Sequence, residues 1–413
     1  MKGGEGDMNG SNTFFPFAKK NEAHDTVRES NEALPPRSIF VSALNLLLCS
    51  LLIPFMLSGN ETATYAISLI ACLTSTVVMF TSAKKISHAV LYTVAMVLFL
   101  GTVVLPLLPA LIFGSVVAIG SGAALISTGK GLQNLITPVM AVLAFTVSLI
   151  ACGDPLIALT ALALYLPVVV LGIASRIKVS FSAAVISCTA TLLLLALLAI
   201  GATIYLTYGS VSSEALNQGI DSLTATLISY AEMSMKELMG IEVNEAWRNM
   251  IVIVVDYYVN ISPGLIVAAC TVASYFALKI EHNSLEAHGI DRLLDEHTTM
   301  LSVGAFPALL YILAVVLSFA LDPYNEISVI AIVADNICLI LSPALLIMTG
   351  RALRALPAKL GFIGLLISGF LVLFMILAFY AFPMIVALVG AVYVLIISVD
   401  AWAKEHYSKG ENQ

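Results

Sequence analysis

The chain has 413 residues, of which 60% are hydrophobic and 11% charged, with a mean hydropathy of +0.99 and a formal net charge of −7. That composition leaves too little polar surface to coat a soluble fold of this size, and the acidic balance leaves no basic surface for nucleic acid. Apolar stretches alternate with short polar breaks from Ile39 to Asp400, which predicts an all-α polytopic transmembrane helical bundle.

Residues 1–37 are Gly-, Asn-, Glu- and Lys-containing, with Phe14, Phe15 and Phe17 as their apolar cluster. They read as a disordered cytoplasmic tail, and with no cleavable signal pattern the first span is expected to start insertion itself. At about 20 residues per span, twelve are predicted: 39–57, 63–82, 87–105, 107–127, 135–151, 156–175, 181–208, 263–279, 299–320, 327–348, 361–381 and 383–400. Seven fall in an N-terminal block (38–208) and five in a C-terminal block (263–402), with 403–413 a second cytoplasmic tail. The pairs 87–127 and 361–400 are marked only by Pro106, Pro109 and Pro383. Each is too long for one span, and a re-entrant hairpin in place of one pair would reduce the count to ten.

Basic residues give the orientation. Alternate gaps carry Lys84 and Lys85, Lys130, Arg176 and Lys178, Lys279 and Arg292, then Arg351, Arg354 and Lys359, whereas the intervening gaps hold only Lys236 and Arg248. Cytoplasmic loops collect Lys and Arg, so both termini are expected in the cytoplasm. Segment 209–262 then falls outside. Leu216, Ile220, Leu223 and Leu227 recur at helical spacing, and Trp247 to Tyr258 form a second apolar stretch. Together they predict an extracytoplasmic helical hairpin that caps the bundle, or serves as a lid or docking surface.

Cys49, Cys72, Cys152, Cys188, Cys270 and Cys338 lie in or at the ends of spans, without the spacing of a zinc or redox site, and read as packing residues. His282, His288 and His297, with Glu281, Glu286, Asp291, Asp295 and Glu296, read as a solvated charged face rather than a metal cluster. The small residues from Gly114 to Ala124 suit close helix packing, or room for a ligand beside the backbone. Gly129-Lys130-Gly131 lacks the pattern of a nucleotide loop. No paired carboxylates or flanked histidines suggest catalysis, so the expectation is a protein that is not an enzyme, with no cofactor and no metal.

The one ionisable residue well inside an apolar span is Asp335, placed by the predicted span about 14 Å from its start, near the midplane. Asn336 points about 100° away. Protonated, Asp335 would join two helices; ionised, it would line an aqueous cavity and bind a cation, a proton or a basic group. Ser342 and Pro343 could open the helix ladder towards the same cavity, and Asn45 in the first span is a possible second polar wall.

The order of features resembles the YybS-like family of uncharacterised bacterial membrane proteins over residues 39–350. The likeness rests on the spans from Ile39 to Arg176, the insertion at 209–262, Gly304-Ala305-Phe306-Pro307, and the segment from Asn336 through Ser342-Pro343 to Leu346. The pair of spans after 360 and the long N-terminal tail depart from that pattern. The resemblance implies a bacterial cytoplasmic membrane and an N-terminal block similar to the substrate-binding component of energy-coupling vitamin transporters. The expected function is a small-molecule or ion transporter, or a substrate-binding membrane component, in the lipid bilayer. It would be driven by an ion gradient through Asp335 or by a separate ATPase, alone or with a homo-oligomeric partner. The alternative is a non-catalytic scaffold or regulator of an envelope process. A water-lined Asp335 favours the first, a sealed helix contact the second.

Overall fold

A computed structural model describes residues 34–82, 110–129, 131–239, 244–288, 303–321, 329–381 and 383–410, with the isolated positions 90, 93 and 290. Among them every regular element is a helix.

Helices α1 (Pro36–Leu57) and α2 (Glu61–Ser82) are antiparallel neighbours joined through Gly59, whose φ of 72° makes the tight turn. Helix α3 (Ala110–Thr128) opens with a π-helical turn at Ala110–Gly114. Helix α4 (Ile136–Cys152) stops at the left-handed Gly153. The next residue, Asp154, accepts a hydrogen bond from the Leu156 amide at 2.8 Å, and Pro155 opens α5 (Pro155–Arg176). Helix α6 (Phe181–Tyr208) is capped by Ser180 and ended by Gly209. Helices α7 (Ser213–Met239), α8 (Glu245–Ala287) and α9 (Ala305–Ala320) follow. A last long stretch divides at Gly361, φ 58°, into α10 (329–360) and α11 (362–381), before α12 (Pro383–Gly410).

Nine helices among the described residues are long and apolar enough to cross a membrane, and α9 is a shorter apolar helix. Of the predicted span 87–105 only positions 90 and 93, and of the predicted tail only residues 34–37, are among the described residues. Exposure is inverted relative to a soluble protein: Ile150 is 80% and Leu206 74% exposed, while Asn45 is fully buried and Asp335 is 2% exposed. Apolar side chains outward and polar ones inward are what a hydrocarbon solvent selects. The chain is an integral, multi-pass membrane protein.

Two larger clusters dominate the buried apolar residues described. One gathers Leu46, Leu52, Ile119, Val168, Leu171 and Phe181 from α1, α3, α5 and α6. The other gathers Tyr311, Cys338, Leu345 and Ala387 from α9, α10 and α12. Helix α8 connects them, adding Ala277 and Leu278 to the first core and packing along α10.

Helix α8 is also where the structure departs most from expectation. The predicted second arm of the hairpin and the predicted span 263–279 are one helix of 43 residues, about 64 Å long. That is about twice the hydrocarbon thickness. Pro263 lies within the helix instead of opening it. Helix α7 pairs with the first part of α8 through Arg248 and Glu232, 2.6 Å apart. Its predicted apolar stripe is turned outward, with Leu216 45%, Leu223 50% and Leu227 42% exposed. The buried side is the smaller Ala215, which permits closer approach of the chain.

The small-residue stretch of α3 packs tightly. A Cβ on Gly120 would collide with the Ala277 carbonyl and the Ile280 side chain of α8, so the two backbones touch there. Gly120→Leu is therefore expected to destabilise the purified protein in detergent by about 1–3 kcal/mol or more, read as a lower midpoint of thermal unfolding. Gly201→Ala, which meets open space, serves as the matched control and should leave the midpoint unchanged or raised.

Candidate functional site

Pro263 has no N–H, so the Val259 carbonyl one turn earlier loses its helical donor, and the ring's bulk pushes the ladder apart. In water such a break would be solvated; in a membrane it must be satisfied by protein. Three side-chain bonds do this. Ser262 Oγ donates to the Val259 carbonyl at 2.7 Å. The Gly264 amide, which would ordinarily bond to the Asn260 carbonyl, donates to Asn336 Oδ1 at 2.7 Å. Asn336 Nδ2 in turn donates to the Asn260 carbonyl at 3.0 Å and to Ile332 of its own helix at 2.9 Å. The Asn336 amide has thus been inserted into the backbone ladder of its neighbour. Gly264 is needed for this: a Cβ there would lie 2.8 Å from Asn336 Oδ1 and 3.0 Å from its Cα.

One residue earlier, Asp335 faces a different pair of helices. Tyr257 OH on α8 donates to Oδ2 at 3.0 Å, and Ser318 Oγ on α9 donates to Oδ1 at 2.5 Å. Both carboxyl oxygens are occupied, and the residue is 2% exposed. Both donors are neutral hydroxyls, from two different helices. A carboxyl held in this way can carry a proton, or as a carboxylate can share its hydroxyl ligands with a cation, without permanent ion pairing.

Asp335 is six residues, about 9 Å, beyond Val329, the first described residue of α10, and 16 residues, about 24 Å, before Arg351. The helix runs well past the predicted end at 348. Ser342, two turns further on, is on the same face of α10 but makes a separate contact. Its Oγ donates to the Cys338 carbonyl at 2.6 Å and lies 3.3 Å from Tyr311 OH, which donates to the Met384 carbonyl at 2.9 Å. Asp335 and Ser342 therefore form two polar rungs between α9 and α10.

Asn45 is not brought to this site. It is fully buried in the first core, where Oδ1 accepts from Thr74 Oγ1 at 2.9 Å and Ser75 Oγ at 2.8 Å, both on α2. It joins α1 to α2. Among the described residues no group of three or more His, Cys, Asp or Glu is placed to hold a metal ion. The predicted charged face around His282 is corrected in part: Glu281 is 1% exposed because α8 continues to Ala287 and keeps it inside the bundle. His297, Asp291, Asp295 and Glu296 lie outside the described residues.

Tyr257, Ser318 and the Asn260–Gly264 break were not recognised as site residues from the sequence. The signal available was the run Asn260-Ile261-Ser262-Pro263-Gly264, in which a proline within an apolar stretch is flanked by groups able to serve its broken ladder. Comparison of the chain with protein-family models, with curated proteins and with solved structures gives no match.

Replacing Asn336 by Leu removes the partner of the exposed Asn260 carbonyl and strands the buried Gly264 amide, the latter at about 1–3 kcal/mol. The loss should shrink in a Pro263→Ala background, where the helix can close its own ladder. A double-mutant cycle on thermal or denaturant unfolding is expected to give a coupling of about 1 kcal/mol or more between the two positions. Strict additivity would show that Asn336 does not serve the proline break.

Proposed function

We propose that the protein is a proton-coupled membrane transporter of small molecules or ions, with Asp335 as its coupling group. The observation that supports this reading is a buried carboxyl whose hydrogen-bond partners among the described residues are two hydroxyls, beside a break in the neighbouring helix. A helix whose ladder is held by side chains across 259–264 has a natural pivot there, because the backbone bonds that resist bending are missing. Tyr257 lies on the outer side of that pivot and bonds Asp335. Exchange of the Asp335 proton changes the bonds to Tyr257 and Ser318 together, and with them the seat of the first half of α8. The described arrangement is the occluded state of such a cycle, with the acid sealed from both sides.

A second reading, a scaffold or regulator without transport, is favoured by that same sealing, since the carboxyl is satisfied and buried as in a fixed helix contact. With the basic residues taken as cytoplasmic, the acid lies on the extracytoplasmic side of Arg351 in either reading. A resemblance to YybS-like proteins and a bacterial cytoplasmic membrane fit either reading.

The two are separated by placing Cys at position 335 in a background without the six native cysteines and adding membrane-impermeant thiol reagents to each side of sealed vesicles. Transport predicts labelling, first from the side opposite Arg351, because the occluded state must open to exchange its proton. Complete protection from both sides, in a variant that retains its unfolding midpoint, would contradict transport and leave the scaffold.

A further inference from the structure

The bond between Gly264 and Asn336 also sets the level at which α8 and α10 reach the basic side of the membrane. Lys279 follows Gly264, and Arg351 follows Asn336, by the same 15 residues, about 22 Å of helix. Two parallel helices therefore bring these cations to one height. Arg354 is one turn further along α10, and the charges of both arginines act on Lys279. Tyr275, one turn before Lys279, lies close enough for both guanidinium groups to act on its hydroxyl, and Tyr393 of α12 is near Arg351.

Cations at a span end ordinarily reach into water, as Arg176 and Lys178 do, both exposed. Lys279 and Arg351 are half-buried instead, and Arg351 is turned back along its own helix, where Nη1 donates to Met348 Sδ at 3.5 Å. A thioether is a weak acceptor for a guanidinium. Among the described residues none of the three cations is ion-paired, and Glu286 is the one carboxylate whose charge acts on Lys279. Three like charges are thus drawn together against one acid, an arrangement that repels itself until an anion is placed between them.

The neighbouring surface is apolar and open to lipid. Val272 and Phe276 share the face of α8 that bears Lys279, and they are 41% and 53% exposed. Phe181 of α6 packs edge-on against Tyr275, with ring centroids 5.8 Å apart, which steadies the tyrosine beside the arginines. A ligand of this place has to present a negative head to the cations and a hydrocarbon chain to Val272 and Phe276. An anionic phospholipid does both, whereas a soluble phosphate meets only the first requirement.

We propose that the junction of α8 and α10 on the basic side of the membrane binds the headgroup phosphate of an anionic phospholipid, held by Arg351 and Lys279, with Arg354 at the rim and Tyr275 as a hydroxyl donor. The guanidinium offers the phosphate two parallel N–H groups, and the ammonium adds a point charge. A lipid seated there ties the C-terminal half of α8 to α10, at the opposite end of α10 from Asp335. Its binding does not depend on whether Asp335 is a coupling group.

The test titrates the full-length protein, delipidated in a neutral detergent, with dioleoylphosphatidylglycerol or dioleoylphosphatidylcholine and resolves the bound states by native mass spectrometry. The first phosphatidylglycerol is expected to bind about tenfold or more tightly than the first phosphatidylcholine. Arg354→Gln, at an exposed position, and Lys279→Gln should each reduce that preference about fivefold. Arg351→Gln should abolish it, while Arg351→Lys retains part of it and Lys236→Gln, which removes an exposed cation on α7, leaves it unchanged. Should Arg351→Gln fail to fold, the Arg354 and Lys279 variants decide the matter. Equal affinities for the two lipids, or a preference that survives Arg354→Gln and Lys279→Gln alike, would overturn the proposal. Tight binding of inorganic phosphate alone, lost in Lys279→Gln, would give the same cations to a soluble anion and overturn the lipid assignment.

Discussion

The structure depends on one constraint: inside hydrocarbon, every backbone N–H and C=O must find its partner within the protein. Helix α8 violates its own ladder at Pro263, and the violation is tolerated because α10 supplies an amide of the right shape. Asn336 offers an acceptor to Gly264 and a donor to Asn260, so it replaces one backbone bond by two side-chain bonds. This fixes the relative height of the two helices. It also places Tyr257 opposite Asp335, since those residues are a turn or two from the repair. The acid's surroundings are a consequence of how the break was mended.

The same register extends along both helices. Tyr257 faces Asp335, Gly264 faces Asn336, and Tyr275 lies near Arg351, so α8 and α10 run parallel across the membrane. Helix α9 runs against them, with Ser318 meeting Asp335 and Tyr311 meeting Ser342. Meanwhile the backbone contact at Gly120 ties the far half of α8 to α3. One half of α8 is thus committed to the first core, and the other is held by polar side chains and by α7. The break lies between these regimes, where bending costs least.

The sequence made the helical class plain because twenty-residue apolar runs have little else to form in a membrane. Most span boundaries are equally legible: 181–208 is a helix at those limits, and Gly361 divides α10 from α11 close to the expected start at 361. Asp335 stood out because a charge in an apolar run is rare. Its partners did not, since Tyr257 and Ser318 are 78 and 17 residues away and a hydroxyl on an apolar helix is unremarkable alone. Glu281 was obscured for a different reason. Reading Pro263 as a helix start shortened the span, and this pushed every residue beyond 279 into an imagined loop. Asn45 was expected as a second polar wall beside Asp335 and instead joins α1 to α2, because nothing in one sequence indicates which helix a side chain faces.

The central claim is that the N-terminal half of α8 moves about the 259–264 break when Asp335 changes its protonation. The most direct test is a pulsed electron-spin distance between labels at Met250, on that half, and Leu206, on α6, in a cysteine-free background reconstituted in liposomes. Both positions are exposed, at 55% and 74%. The account predicts that the distance distribution differs between acidic and alkaline pH, and that Asp335→Asn holds one distribution at both. Identical distributions at all pH values in the wild-type background would contradict it, and would make the junction of α8, α9 and α10 a static helix contact.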